Sequence, residues 1–273
     1  MDRQTDLRVW FGLKRQPFAP ILKPEDLFLR PCMEKIREEI EFAVGNSLFY
    51  TVIGDVGAGK STVMRYSLAS LPEKRYTVLP LIGGNWSFVE LLRQCMACMG
   101  IFTRTTQQST MLRSIYEGYA AIRDDGKTPV IFIDEANLFQ QDVFNQLHLL
   151  SQQELRDGRV TPIVMCGQDS LFDRLRSPFS KPLLSRIING HNLCGMEHDE
   201  TAHYVTHHIQ NIAGGSDDIF GETSLIAVHQ SAGGIPRRIN ELCLLSMRAA
   251  MEAGQHSVSA ENVRQANKAW WEK

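Results

Sequence analysis

Residues 49–66 read "FYTVIGDVGAGKSTVMRY". An apolar, β-rich run passes here through three glycines into a lysine, two hydroxyls and an amphipathic stretch. Gly54-Asp55-Val56-Gly57-Ala58-Gly59-Lys60-Ser61 matches the phosphate-loop pattern G-x-x-x-x-G-K-[ST] at a predicted strand-to-helix junction. Glycine permits the tight loop and positive φ values that turn successive backbone N–H groups onto phosphate oxygens. Lys60 is then placed to reach the β- and γ-phosphates, and Ser61, followed by Thr62, supplies a hydroxyl for Mg²⁺. The helix that follows offers its positive N-terminal end to the anion. By average residue frequencies the pattern arises by chance in roughly one chain of this length in a hundred.

A second signal lies downstream in "VIFIDEANLF" (130–139), an apolar strand that ends in two acids. An acid at the carboxyl end of a buried parallel strand lies in the crevice where such sheets bind ligands. Asp134 therefore suits the coordination shell of Mg²⁺, directly or through water. Glu135 is placed to orient an attacking water or accept its proton.

The same alternation extends along the chain. "LFYTVIG" (48–54), "YTVLPLIG" (76–83), "PVIFID" (129–134), "TPIVMCG" (161–167) and "GHNLCGM" (190–196) read as strands, separated by stretches of helical period. Continuous apolar strands of this kind predict a five-stranded parallel sheet with helices on both faces, an α/β architecture. After residue 197 no strand-like run recurs, and four helices punctuated by glycine and proline predict a small all-helical domain. The expected boundaries are residues 1–47 for an N-terminal segment and helix packing on the core, 48–197 for the sheet domain and 198–273 for the helical lid.

The 273 residues carry a formal net charge of −2, with 43% hydrophobic and 22% charged residues, an ordinary globular composition. No stretch approaches the ~20 apolar residues of a membrane span, and the N-terminus lacks the apolar core of a signal peptide, so a cytoplasmic location is expected. The six cysteines are scattered in apolar surroundings, which fits reduced thiols; the single C-x-x-C at Cys95 and Cys98 has no second pair at zinc spacing. Residues 1–23 hold five Lys/Arg against two Asp, and residues 174–196 hold Arg174, Arg176, Lys181 and Arg186 against no acid. Both stretches read as solvated faces rather than as nucleic-acid sites.

With both nucleotide motifs, a strand with a polar tail and a helical lid, the chain resembles the AAA+ ATPases over nearly its whole length. Within them "WFGLKRQPFAP" (10–20), "GDVGAGKST", "IDEAN" and "GGIPRRINELC" (233–243) are similar to the ExeA group and to transposition regulators of the TniB, TnsC and MuB types. The resemblance implies ATP and Mg²⁺ as cofactors and a sensing role for Gln168 at the end of the fourth strand. It implies a lid sensor at Arg237, with Arg238 the rival, and an arginine finger at Arg186, with Arg176 the runner-up. The finger acts on ATP bound by a neighbouring subunit, where it stabilises charge spread over the transferred phosphoryl group. A homo-oligomer, ring or filament, with ATP at its interfaces follows.

Three functions are then in view. One is a DNA-dependent ATPase that assembles on double-stranded DNA and recruits or regulates a transposase. The absence from this sequence of a membrane span and a cell-wall-binding domain favours it. Another is the ATPase of an envelope secretion system, and the last is an ATP-gated scaffold with slow turnover. Trp10, Phe11 and Phe18 around Lys14 and Arg15 are expected to pack on the sheet domain and close over the adenine. Trp270 and Trp271 are expected either to cap the lid or to form a docking patch.

Overall fold

The computed structural model describes residues 6–20, 22–152 and 160–271. Five strands occupy the apolar runs: β1 (Phe49–Gly54), β2 (Tyr76–Ile82), β3 (Thr128–Asp134), β4 (Ile163–Gly167) and β5 (Ile187–Leu193). All pairings are parallel and the order is β2-β3-β4-β1-β5, the expected five-stranded sheet. β5 starts at Ile187, ahead of the expected position 190, and stops at Leu193. It is an edge strand with mostly exposed residues, so its sequence "IINGHNL" lacks the continuous apolar run of the central strands.

The helices are α1 (Leu7–Trp10), α2 (Pro31–Gly45), α3 (Lys60–Ala69), α4 (Phe88–Cys98), α5 (Gln108–Asp124), α6 (Gln141–Gln146), α7 (Asp169–Arg176), α8 (Lys181–Leu184), α9 (His198–Thr206), α10 (Glu222–Ala232), α11 (Pro236–Glu252) and α12 (Ala260–Trp271). Between β3 and β4, α6 passes into a 3₁₀ turn at Leu147–Ser151, and residues 153–159 lie outside the described residues.

The chain forms two compact units. The sheet unit comprises Pro31–Val56 and Lys60–Leu193. Successive strand residues point to opposite faces. Phe49, Leu79, Leu81, Ile131, Ile133, Ile163 and Met165 join Leu91, Leu92 and Ile115 of α4 and α5 in one buried cluster. The alternate set, Tyr50, Val52, Val130, Phe132, Val164 and Cys166, is buried as well, and α2 and α3 contact β1 and β4. Burying each such large side chain contributes about 1.5–3 kcal/mol, so both faces stabilise the sheet. α4 opens with a capping box in which Ser87 and Glu90 each accept from the other's backbone N–H; that bond holds the Glu90 carboxyl below the usual range.

The helical unit draws its described residues from Met1–Arg30, Gly57–Gly59 and Cys194–Lys273. Residues 6–20 and 22–30 fall in this unit, whereas the sequence reading grouped residues 1–47 as one segment. Phe11, Leu13 and Phe18 share a core with Val205, Ile209, Val228, Ile239, Cys243 and Met247. Backbone N–H of Lys14 donates to the Ala213 carbonyl at 2.7 Å, and Arg15 Nε donates to the Ile212 carbonyl at 2.7 Å. Phe18, with φ +55°, donates its N–H to His208 Nδ1 at 3.1 Å and stacks on that ring with centroids 5.0 Å apart. His208 lies in a π-helical turn, His207–Ile212, that continues α9, and burial pulls its pKa down to about 3. Arg30, also buried, donates to the carbonyls of Cys194 and Gly195 and pairs with Glu200 at 3.1 Å. α12 reaches Trp271, but the side chains of Trp270 and Trp271 lie outside the described residues.

Candidate functional site

The loop between β1 and α3 has the backbone its glycines permit. Gly57 has φ +83° and Gly59 φ +98°, values that L side chains rarely adopt. At Gly54 the requirement is space: a Cβ would stand 2.5 Å from the Leu193 carbonyl oxygen of β5. Lys60, the first residue of α3, is buried, and its Nζ donates to the carbonyls of Gly54 and Asp55 at 2.9 Å each. The ammonium is thus held beside the loop backbone rather than in solvent. Asp55, Val56 and Thr62 are exposed, Ala58 is buried and Ser61 is half-buried.

The acidic pair ends β3. Asp134 Oδ1 accepts the backbone N–H of Glu135 at 2.9 Å and the Cys166 thiol at 2.9 Å. Burial first, and the Asp134 charge second, push the Cys166 thiol well above its ordinary pKa, so it is a protonated donor at neutral pH. Glu135 itself is left-handed, at φ 51° and ψ 39°, and its Oε2 is buried without a hydrogen-bond partner. A non-glycine residue in this region costs on the order of 1–3 kcal/mol and persists where neighbours over-determine it. One such neighbour is Gly83, just past β2: its N–H donates to the Asp134 carbonyl at 2.6 Å, and a Cβ there would lie 2.0 Å from the Glu135 carbonyl oxygen.

Gln168 caps α7 directly after β4, and its backbone N–H donates to Asn137 Oδ1 at 3.0 Å. Asn137 is buried at 7% exposure, three residues beyond Asp134. Gly167 makes room for it, since a Cβ there would meet Asn137 Oδ1 at 2.7 Å. The ends of β3 and β4 are therefore stitched by two side chains, Cys166 and Asn137, to which the sequence reading gave no role. Their roles depend on register across strands: Ile133 lies opposite Met165, which puts Asp134 and Cys166 next in line on one face.

In the helical unit, the backbone N–H of Arg237 donates to the Gly57 carbonyl at 3.3 Å, and a Cβ on Gly57 would lie 2.8 Å from Arg237 Cβ. Arg238, one residue on, instead directs Nη2 to Asn267 Oδ1 of α12 at 3.4 Å. Gly234, before this helix, is required by Met196: the Met196 N–H donates to the Gly234 carbonyl at 2.8 Å, and Gly234, at φ +71°, would place a Cβ 2.1 Å from the Met196 oxygen. Arg186 stands just before β5, half-buried, with Nη1 buried and unpartnered; its own carbonyl accepts the Phe49 N–H at 3.0 Å. Arg176 is exposed, 4.8 Å over the Phe172 ring.

The two basic stretches differ in their partners: the first meets acids, and in the second Arg174 meets a neutral carbonyl. Arg8 pairs with Asp6, Arg15 bonds Asp26 through both terminal nitrogens at 3.1 and 3.0 Å, and Arg174 donates to the Phe139 carbonyl.

The donor set suits a nucleotide with Mg²⁺. Ser61 and Asp134 offer oxygen, and among the described residues no cluster of three or more His, Cys, Asp or Glu forms a self-contained metal cage. Mg²⁺ characteristically takes one or two protein oxygens and shares the rest of its shell with phosphate and water.

The strand order, the loop after β1 and the acidic end of β3 together are the arrangement of the AAA+ P-loop fold. Residues 44–175 match the family model described as AAA domain. The chain is 29% identical over 258 residues to general secretion pathway protein A of Aeromonas hydrophila, a match that covers 91% of this chain and 46% of that protein. It thus spans less than half the length of that relative. Among solved structures it is similar to ORC2 of Aeropyrum pernix (TM-score 0.67, 16% identity, 94% of this chain and 72% of that one). It is similar also to Cdc6p of Pyrobaculum aerophilum (TM-score 0.68, 16% identity, 92% and 70%) and to Drosophila ORC bound to DNA (TM-score 0.63, 16% identity, 97% and 68%). At such identities the likeness is one of fold. Among the described residues no helix is long and apolar enough to cross a membrane.

Proposed function

We propose that the protein is an ATPase whose subunits assemble with ATP at their interfaces, and that it acts on double-stranded DNA in the cytoplasm to recruit or regulate a transposase. The observation that carries the enzymatic part is the strained Glu135, its buried Oε2 unpartnered, one residue beyond an Asp134 whose carboxylate is anchored from β4.

In this reading the N–H groups of Gly54–Thr62 and the Lys60 ammonium bind the phosphates, and Lys60 exchanges its two backbone carbonyl acceptors for phosphate oxygens. Ser61 and Asp134 hold Mg²⁺, which when bound neutralises charge on the β- and γ-phosphates. Glu135 aligns a water through its unpartnered oxygen and takes its proton. Gln168, held through Asn137, reads the γ-phosphate end. Arg237, whose N–H bonds the Gly57 carbonyl, is the lid sensor. Arg186, with an unpartnered buried Nη1, is the arginine finger supplied to a neighbouring subunit.

The DNA part is supported by the fold shared with ORC bound to DNA. A second reading, the ATPase of an envelope secretion system, is favoured by the similarity to general secretion pathway protein A. ATP hydrolysis at low salt with and without double-stranded DNA separates them. Stimulation by DNA supports the first reading, and a rate indifferent to DNA supports the second. DNA affinity that falls steeply with salt and shows little sequence preference is expected of phosphate contacts.

A further inference from the structure

The two acceptor positions of Asp134 are not equivalent. Oδ1 is engaged twice, by the Glu135 N–H and by the Cys166 thiol, both at 2.9 Å, whereas no described residue donates to Oδ2. A carboxylate has two free rotations about its side-chain bonds, and a single backbone contact from the next residue along the chain constrains them only locally. The second donor comes from a different strand. Cys166 is fully buried in β4, flanked by β3 and β1, and its register places it beside the end of β3 on the same face. From this buried position the thiol donates to Oδ1 of Asp134 at 2.9 Å.

We infer that Cys166 is a positioning residue: its thiol proton fixes Oδ1 of Asp134 and leaves Oδ2 to the divalent cation that accompanies the nucleotide. Partners that orient a metal-binding side chain typically matter by 10–100-fold in metal affinity or activity. The inference rests on the nucleotide-site reading proposed above, and it adds a residue whose type no motif demands. It also distinguishes Cys166 from Asn137, which holds the backbone of Gln168 and touches neither acid's carboxylate in a bond described here.

The test uses the full chain and a fluorescent ATP analogue, N-methylanthraniloyl-ATP. Its affinity is measured in EDTA and then as Mg²⁺ is titrated, for wild type, Cys166→Ala and Cys166→Ser, with circular dichroism melting to verify folding. In EDTA the three proteins bind alike. With Mg²⁺, Cys166→Ala requires about tenfold more cation for half of the tightening, and Cys166→Ser, which keeps a donor, stays within about twofold of wild type. A wild-type Mg²⁺ requirement in Cys166→Ala overturns the inference. So does an equal defect in Cys166→Ser, because the loss then comes from packing and not from the donor. If wild type itself binds equally in EDTA and Mg²⁺, the nucleotide-site reading falls and the inference with it, an outcome distinct from both others.

Discussion

Gly83→Ala tests the acidic turn without touching a single reacting group. Its Cβ would lie 2.0 Å from the carbonyl oxygen of Glu135, and real Cβ contacts essentially never fall below 3.0 Å, so one backbone must move by about 1 Å. The neighbouring bond from Gly83 N–H to the Asp134 carbonyl, 2.6 Å long, ties the same two segments and cannot absorb the shift. The strained Glu135 is the softer side, since its left-handed conformation already costs free energy. A misplacement of about 1 Å costs on the order of 100-fold in rate, or about 2.7 kcal/mol in the barrier. Overpacking should add about 1–3 kcal/mol of destabilisation, read as a fall of several degrees in melting temperature. The phosphate loop and Lys60 are untouched, so fluorescent-ATP affinity should change less than about threefold while steady-state turnover falls about 100-fold. Wild-type turnover in a folded Gly83→Ala protein would refute the placement of Glu135 as the catalytic acceptor.

Lys60→Ala removes two charge-assisted contacts to phosphate and should weaken nucleotide binding by at least about 100-fold in equilibrium titration; normal affinity would sink the phosphate-loop reading. Glu135→Gln should bind ATP normally and lose about 10²–10⁴ in hydrolysis, along with any ATP-dependent disassembly seen by light scattering. Arg186→Ala should bind ATP but hydrolyse poorly at concentrations where wild type is assembled, and unchanged activity would move the finger elsewhere. The buried His208, at about 3 when folded and near 6.5 unfolded, binds more protons in the unfolded state between those values. Stability should therefore fall as pH drops below 6.5, by up to about 1.4 kcal/mol per unit, and urea unfolding of His208→Phe between pH 7 and 5 should lack that slope.

What the sequence made legible was local or periodic. The apolar runs announce buried parallel strands, the glycines of the loop announce its positive φ values, and an acid pair at a strand end announces the crevice. The edge strand β5 was misplaced because exposure on one side dilutes its pattern. Cys166, Asn137 and Gly83 were missed because each acts across strands, where register and not neighbouring sequence decides the partner. Phe11 and Phe18 demand burial but do not name the surface that buries them, and the structure assigns them to the helical unit. Arg237 and Arg238 differ by one helical step of about 100°, which separates Gly57 from Asn267 but leaves no trace in composition.

The measurement that bears most directly on the proposed ATPase is steady-state ATP hydrolysis at low salt across a range of protein concentrations, with Lys60→Ala as the blank. Wild type should hydrolyse ATP with a specific activity that rises as subunits assemble, and Lys60→Ala should remain at background. Hydrolysis no greater than that of Lys60→Ala at every concentration would contradict it.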